Sequence, residues 1–186
     1  MAKVPERPPA AASGNPARAG GAVPPPEFDA FLLRIGRMNY AWTNTESLLI
    51  HLIAGLVPCD KETATIVHLT LNTSRARLDM VERLAKREPC PVGAEARGKI
   101  LEVSGRMKRL SGLRNRLNHS IYAFDTEGGP VRAIEMRIAD RKKGLRMGGE
   151  TSLDGATLAE FDQALDDIQA INREIWAILV EFRLPL

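Results

Sequence analysis

Residues 114 to 119 read Arg-Asn-Arg-Leu-Asn-His. An imidazole with a pKa near ~6.5 can take or give a proton at neutral pH. A guanidinium can grip a phosphate and stabilise charge growing on its oxygens, and an amide can orient either group. Arg114, Asn115 and His119 are therefore the candidate catalytic residues, and the chemistry that suits them is phosphodiester transesterification. The sequence around them has no dense Asp/Glu cluster of the kind Mg²⁺ requires. The expected nucleophile is then the 2′-hydroxyl of RNA, which makes the expected reaction metal-independent, with no cofactor, and excludes DNA as a cleavable substrate. Asn118 and Tyr122 flank the segment as supporting residues. Arg109 and Arg116 are the candidate RNA contacts.

These groups need an element to hold them. Ser120-Ile121-Tyr122 already has the β-branched and aromatic character of a strand, so the preceding helix is expected to end at Asn118 or His119. At 3.6 residues per turn, positions 115 and 119 share a face, whereas 114 and 119 lie about 140° apart. Arg114 and His119 can converge only if the helix breaks at the histidine or if a second protomer supplies its own copy.

Four helical segments are legible. Phe28, Phe31, Leu32, Ile35, Trp42, Leu49, Ile53 and Leu56 recur at helical steps over residues 27–57, and Pro58 closes the run. Asp60 can cap a second helix with the stripe Ala64, Val67, Leu71, Leu78, Val81 and Ala85, closed by Pro89 and Pro91. A third starts near Gly93 and buries Ile100, Val103, Met107, Leu110 and Leu117. The last opens on the capping box Thr157-Leu-Ala-Glu160 and is expected to bury Leu158, Phe161, Leu165, Ile168, Ile171, Ile175, Ile178 and Phe182. Between the third and last, about residues 120–149, the period shortens: Ile121–Phe124, the alternation Ile134-Met136-Ile138, and Leu145–Met147 predict three short strands with turns at Gly128-Gly129 and Lys143-Gly144. The expected fold is mainly all-α, an up-and-down four-helix bundle over residues 27–186 with a small β-hairpin or meander insert.

Polar residues on apolar stripes need partners. Asn39 and Glu46 lie on the stripe of Ile35, Trp42, Leu49 and Ile53, and Arg114 follows Met107 and Leu110 at the same spacing. A buried carboxylate requires a cation or hydrogen-bond donors. The simplest pairing is Glu46 with Arg114, directly or through Asn115. His51 and His68 read as satisfied core or rim residues, and Trp42 and Trp176 as core or interface aromatics.

The charge is uneven. Residues 75–116 carry twelve Lys/Arg against five Asp/Glu, and residues 150–183 carry two against eight. Two arrangements fit: a polyanion-facing surface on one side, or basic and acidic helices that neutralise each other on packing. Residues 1–26 hold seven of the twelve prolines and no periodic apolar face, and are expected to be a disordered Pro/Ala/Gly-rich tail without a secretory h-region. The longest uncharged stretch, Ser47 to Cys59, is too short to span a bilayer. Cys59 and Cys90 do not make a disulfide framework, and the cytoplasm is the expected compartment.

The spacing Arg114-Asn115-x3-His119 within a helical chain resembles the HEPN superfamily. Its nuclease members carry an arginine and a histidine four to six residues apart, with a polar residue, often asparagine, after the arginine. The resemblance covers residues 27–183 as an arrangement of helices and 114–119 as a motif. It implies a helical bundle that forms a homodimer and brings two motifs together in a cleft. It also implies metal-independent RNA endonuclease activity of the toxin or phage-defence type, with a nucleotidyltransferase-like antitoxin as the partner of some members. Other members of such a family are non-catalytic dimeric interaction or nucleotide/RNA-binding modules, the alternative function expected here.

Overall fold

The computed structural model describes residues 24–124, 130–136, 138–141 and 144–186, so most of the N-terminal tail and the turns at Gly128-Gly129 and Lys143 lie outside the described residues. The molecule is mainly helical with a small antiparallel sheet. Its elements in chain order are α1 (Pro26–Ser47), α2 (Leu49–Leu56), α3 (Lys61–Thr70), α4 (Ser74–Ala85), α5 (Gly93–Asn118), β1 (Ser120–Ala123), β2 (Arg132–Glu135), β3 (Ile138–Arg141), β4 (Gly144–Met147), β5 (Glu150–Ser152) and α6 (Gly155–Glu181). Helix α6 runs against α1 and α5, and α4 packs on α5 and α2.

Most residues of the apolar stripes pack inward, whereas Leu32 of the first stripe is 45% exposed. Trp42, Leu49, Leu52, Ile53, Leu56, Leu78, Val81, Ile100, Met107, Ile168, Ile171 and Ile175 close one core. Near the sheet, Phe31, Leu117 and Phe161 form a second cluster with Phe28, Tyr122 and Leu153 against it. Two long helices expected from periodicity are each divided. The first pauses at Leu48, whose backbone stays helical in φ and ψ, so α1 and α2 form one nearly continuous arm. The second is cut at residues 71–73, where Leu71 is extended and Thr73 caps α4 by accepting from the Ala76 N–H at 3.1 Å. Stripe positions on either side of this cut belong to different helices, and Leu71 is a corner residue. Asp60 caps α3 as expected, accepting from the Thr63 N–H at 2.7 Å; that bond holds its carboxyl below the usual range. The cap of α6 is Asp154, three residues before the expected Thr157, whose N–H it binds at 2.8 Å. Thr157 instead donates its hydroxyl to the Ser152 carbonyl at 2.9 Å and joins the helix to β5.

The sheet differs from a three-strand meander. Its order is β1-β2-β5, all antiparallel, and β3-β4 is a separate two-stranded pair. The alternation Ile134-Met136-Ile138 does not stay in one strand: the ladder ends at Glu135, and Met136 and Ile138 are exposed. The backbone at Gly148 redirects the chain. It has φ +54°, and a Cβ there would stand 2.9 Å from the Glu135 carbonyl oxygen. The next residue, Gly149, accepts the Glu135 N–H at 2.9 Å, which lets β5 enter beside β2. Gly148→Ala is therefore expected to cost about 1–2 kcal/mol, read as a lower urea midpoint with unchanged helix content.

Among the described residues, no helix is long and apolar enough to cross a membrane.

Candidate functional site

Helix α5 carries the motif at its C-terminal end. It ends at Asn118: His119 is the C-cap, at φ −115° and ψ 20°, and its N–H donates to the Asn115 carbonyl at 3.1 Å. An ideal helix sets positions 114 and 119 about 140° apart, and among the described residues no hydrogen bond joins the two side chains. Asn115 is bonded to the arginine. It lies one turn before His119 on the same exposed face, and its Oδ1 accepts from Arg114 Nη1 at 3.2 Å. The imidazole itself is exposed. Its main chain is anchored to the sheet, where the His119 carbonyl accepts the Met136 N–H at 2.8 Å. Beside it, Ile121 and Met136 are 40% and 66% exposed.

Arg114 points inward. Its guanidinium carbon lies 5.7 Å from the centroid of the Trp42 ring, within cation–π range. Its Nε is buried with no partner among the described residues. One turn further on, Asn118 reaches α1, where it and Asn39 exchange amide bonds of 3.1 and 2.9 Å. The Asn39 misfit on the apolar stripe is thus answered by Asn118, which fastens the end of α5 to α1.

Glu46 is not the partner of Arg114. It is buried and pairs with Arg77 of α4, Nη1 to Oε2 at 3.1 Å. Arg77 also donates from Nε to the His68 carbonyl at 3.1 Å. Helix packing decides this: α4 meets α2 and α5 and sets Arg77 opposite Glu46, while Arg114, nearer the end of α5, falls alongside Trp42 instead. A signal for Arg77 was available, because it stands four residues before Val81 on the α4 stripe and violates that stripe as Glu46 violates its own. His68 is buried with Nδ1 unpartnered among the described residues, so it is not the satisfied core histidine expected. His51 is satisfied, with Nδ1 2.9 Å from the Pro185 carbonyl oxygen.

Burial lowers the pKa of His68, and the Arg77 charge lowers it further against a smaller opposing pull from Glu46. The folded chain therefore binds its proton less readily than the unfolded chain, whose histidines titrate near ~6.5. The stability this confers is intact above that value and declines as the pH falls from it towards the lower folded value. Thermal unfolding between pH 7.5 and 5.5 is expected to show a falling midpoint, and His68→Gln should flatten the decline.

The other candidates are placed as follows. Tyr122 is half-buried against Phe28 and Phe31, donates its hydroxyl to the Leu117 carbonyl at 2.8 Å, and has its pKa pushed up to about 12 by burial. It fastens β1 to the bundle rather than facing the imidazole. Arg116 is held by Glu160 of α6 at 2.9 Å. Lys99 and Arg106 are likewise held by Glu181 and Glu174 of α6, and Lys108 by Asp79 and Glu82 of α4. Much of the basic stretch is thus neutralised by its acidic neighbours, the second of the two arrangements the charge pattern allowed. Arg109 is exposed and has no ion pair among the described residues. Cys59 and Cys90 are free thiols. Among the described residues, no group of three or more His, Cys, Asp or Glu side chains is assembled to hold a metal.

No protein-family model matches the chain, and neither does any curated protein or solved structure.

Proposed function

We propose that this chain is a metal-independent RNA endonuclease of HEPN type that acts as a homodimer, with Arg114, Asn115 and His119 as its catalytic residues. The supporting observation is an exposed imidazole on the helix face of Asn115, whose amide oxygen is bonded to the Arg114 guanidinium. The imidazole takes the proton of the RNA 2′-hydroxyl. The 2′-oxygen then forms a bond to phosphorus as the 5′-oxygen–phosphorus bond breaks, leaving a 2′,3′-cyclic phosphate. An imidazolium returns a proton to the departing 5′-oxygen, and Arg114 neutralises charge on the phosphoryl oxygens.

In this reading α1–α2, α3–α4, α5 and α6 are the four arms of an up-and-down bundle. A second copy completes the cleft by bringing its own motif beside the first. The exposed Ile121 and Met136 beside His119 suit such a contact. RNA is the substrate, Arg109 a contact to it, the cytoplasm the compartment, and a nucleotidyltransferase-like protein the expected antitoxin where the chain serves as a toxin or phage-defence effector.

One observation favours a second reading, a non-catalytic dimeric interaction or nucleotide/RNA-binding module: the basic face of α5 is largely consumed by ion pairs, which weakens its pull on a polyanion. The two readings separate in one assay. Purified protein is incubated with single-stranded RNA in EDTA, and products are tested for cyclic phosphate ends. The nuclease reading expects cleavage by the wild type and at least a hundredfold loss in Arg114→Ala. A dimer that binds RNA and releases no product supports the module instead.

A further inference from the structure

Arg114 has an unusual set of neighbours for a surface helix end. The ring beneath it, Trp42, is fully buried, and its indole N–H donates to the Ser74 hydroxyl at 3.4 Å, in the first turn of α4. The guanidinium carbon is thus within cation–π range of a ring that is hydrogen-bonded to a third helix. A guanidinium has five N–H donors in a rigid plane. The one on Nε is buried and unpaired among the described residues, and one on Nη1 goes to Asn115. One proton on Nη1 and two on Nη2 remain. An arginine can present a phosphate with either its side edge, Nε with Nη2, or its end edge, Nη1 with Nη2. Burial of Nε closes the side edge.

We propose that Trp42, hydrogen-bonded to Ser74, is the positioning residue of the site: it seats the Arg114 guanidinium so that its Nη1–Nη2 end edge grips the phosphodiester. This rests on the ribonuclease reading. Trp42 touches neither substrate nor the reacting atoms, and acts only through Arg114. Ser74 acts one step further back, by keeping the indole from rocking under the cation. The cost of losing that lock should fall on turnover, since a small misplacement of a group that stabilises the transition state lowers rate before it lowers stability.

The test uses the full chain carrying Trp176→Phe, which leaves Trp42 as the only tryptophan. A 2′-O-methylated oligoribonucleotide, which lacks the nucleophilic hydroxyl, is titrated while Trp42 emission is followed. A saturable change that vanishes in Arg114→Ala is expected. In the cleavage assay Ser74→Ala should lower kcat about tenfold with little change in KM or thermal midpoint, and Ser74→Thr should restore it. Trp42→Phe, which keeps a π face but loses the tether, should lower kcat as Ser74→Ala does, and it should also lower the thermal midpoint because it empties core volume. If Ser74→Ala and Trp42→Phe retain full kcat while Arg114→Ala is inactive, the positioning role is overturned and the nuclease reading stands. If Arg114→Ala cleaves normally, the nuclease reading falls. If the wild type cleaves nothing, the emission titration still decides: a Trp42 response that requires Arg114 supports an arginine held to bind a phosphodiester, and no response overturns that too.

Discussion

His119→Ala is expected to lower RNA cleavage by about 10²–10⁴-fold while leaving the thermal midpoint within a degree or two of the wild type. The rate loss is that of removing a positioned general acid–base group. The indifference of the fold follows from the ring's setting. The imidazole is exposed, and the described contacts of this residue are made by its main chain, the N–H to Asn115 and the carbonyl to Met136, which alanine preserves. Exposed substitutions of this kind usually stay within about 0.5 kcal/mol. The measurement is cleavage of a single-stranded RNA in EDTA beside a thermal scan of the same preparation. Where expression of the wild type arrests growth, His119→Ala should relieve the arrest. Cleavage by His119→Ala at the wild-type rate removes the imidazole from the mechanism, and a large drop in midpoint assigns it a structural task instead.

Arg77→Ala is expected to be the most damaging single truncation of a charged side chain, at about 3–5 kcal/mol. Glu46 is 8% exposed and Arg77 is its ion-pair partner, so the truncation leaves a carboxylate in the core with neither oxygen paired. It also strips the donor from the His68 carbonyl. Arg114→Ala, by contrast, removes a cation–π contact and one hydrogen bond near the surface, and should cost about 1 kcal/mol. The contrast is diagnostic: Arg77→Ala loses stability first, whereas Arg114→Ala loses cleavage with the fold retained. Urea denaturation of both variants measures it. The double change Glu46→Leu/Arg77→Met should recover most of the loss, because the penalty belongs to an orphaned charge rather than to the missing bond. An Arg77→Ala midpoint equal to the wild type would mean that Glu46 finds water or another donor.

Gly148→Ala and the acid sensitivity of His68 probe separate parts of the molecule. The first concerns the sheet that anchors the His119 carbonyl, and the second the corner where α3 meets α4. Agreement of one says nothing about the other, since the two sites share no described contact.

Helical periodicity and proline placement located α5 and α6, and Asp60 announced the start of α3, because each rests on interactions within a few residues of chain. The motif residues were legible for the same reason, and so was the end of α5 at Asn118, announced by the strand character of the residues that follow. Glu46 announced by its place on an apolar stripe that a partner was needed, but not that the partner was Arg77. Which cation meets a buried carboxylate depends on how α1 and α4 cross, and strand order β1-β2-β5 depends on Gly148 bringing β5 back to β2. The cation–π seat of Arg114 on Trp42, the tether to Ser74 and the neutralisation of α5 by α6 are likewise contacts between distant segments. Local spacing carries no information about them, because they exist only once packing has set which helix faces meet.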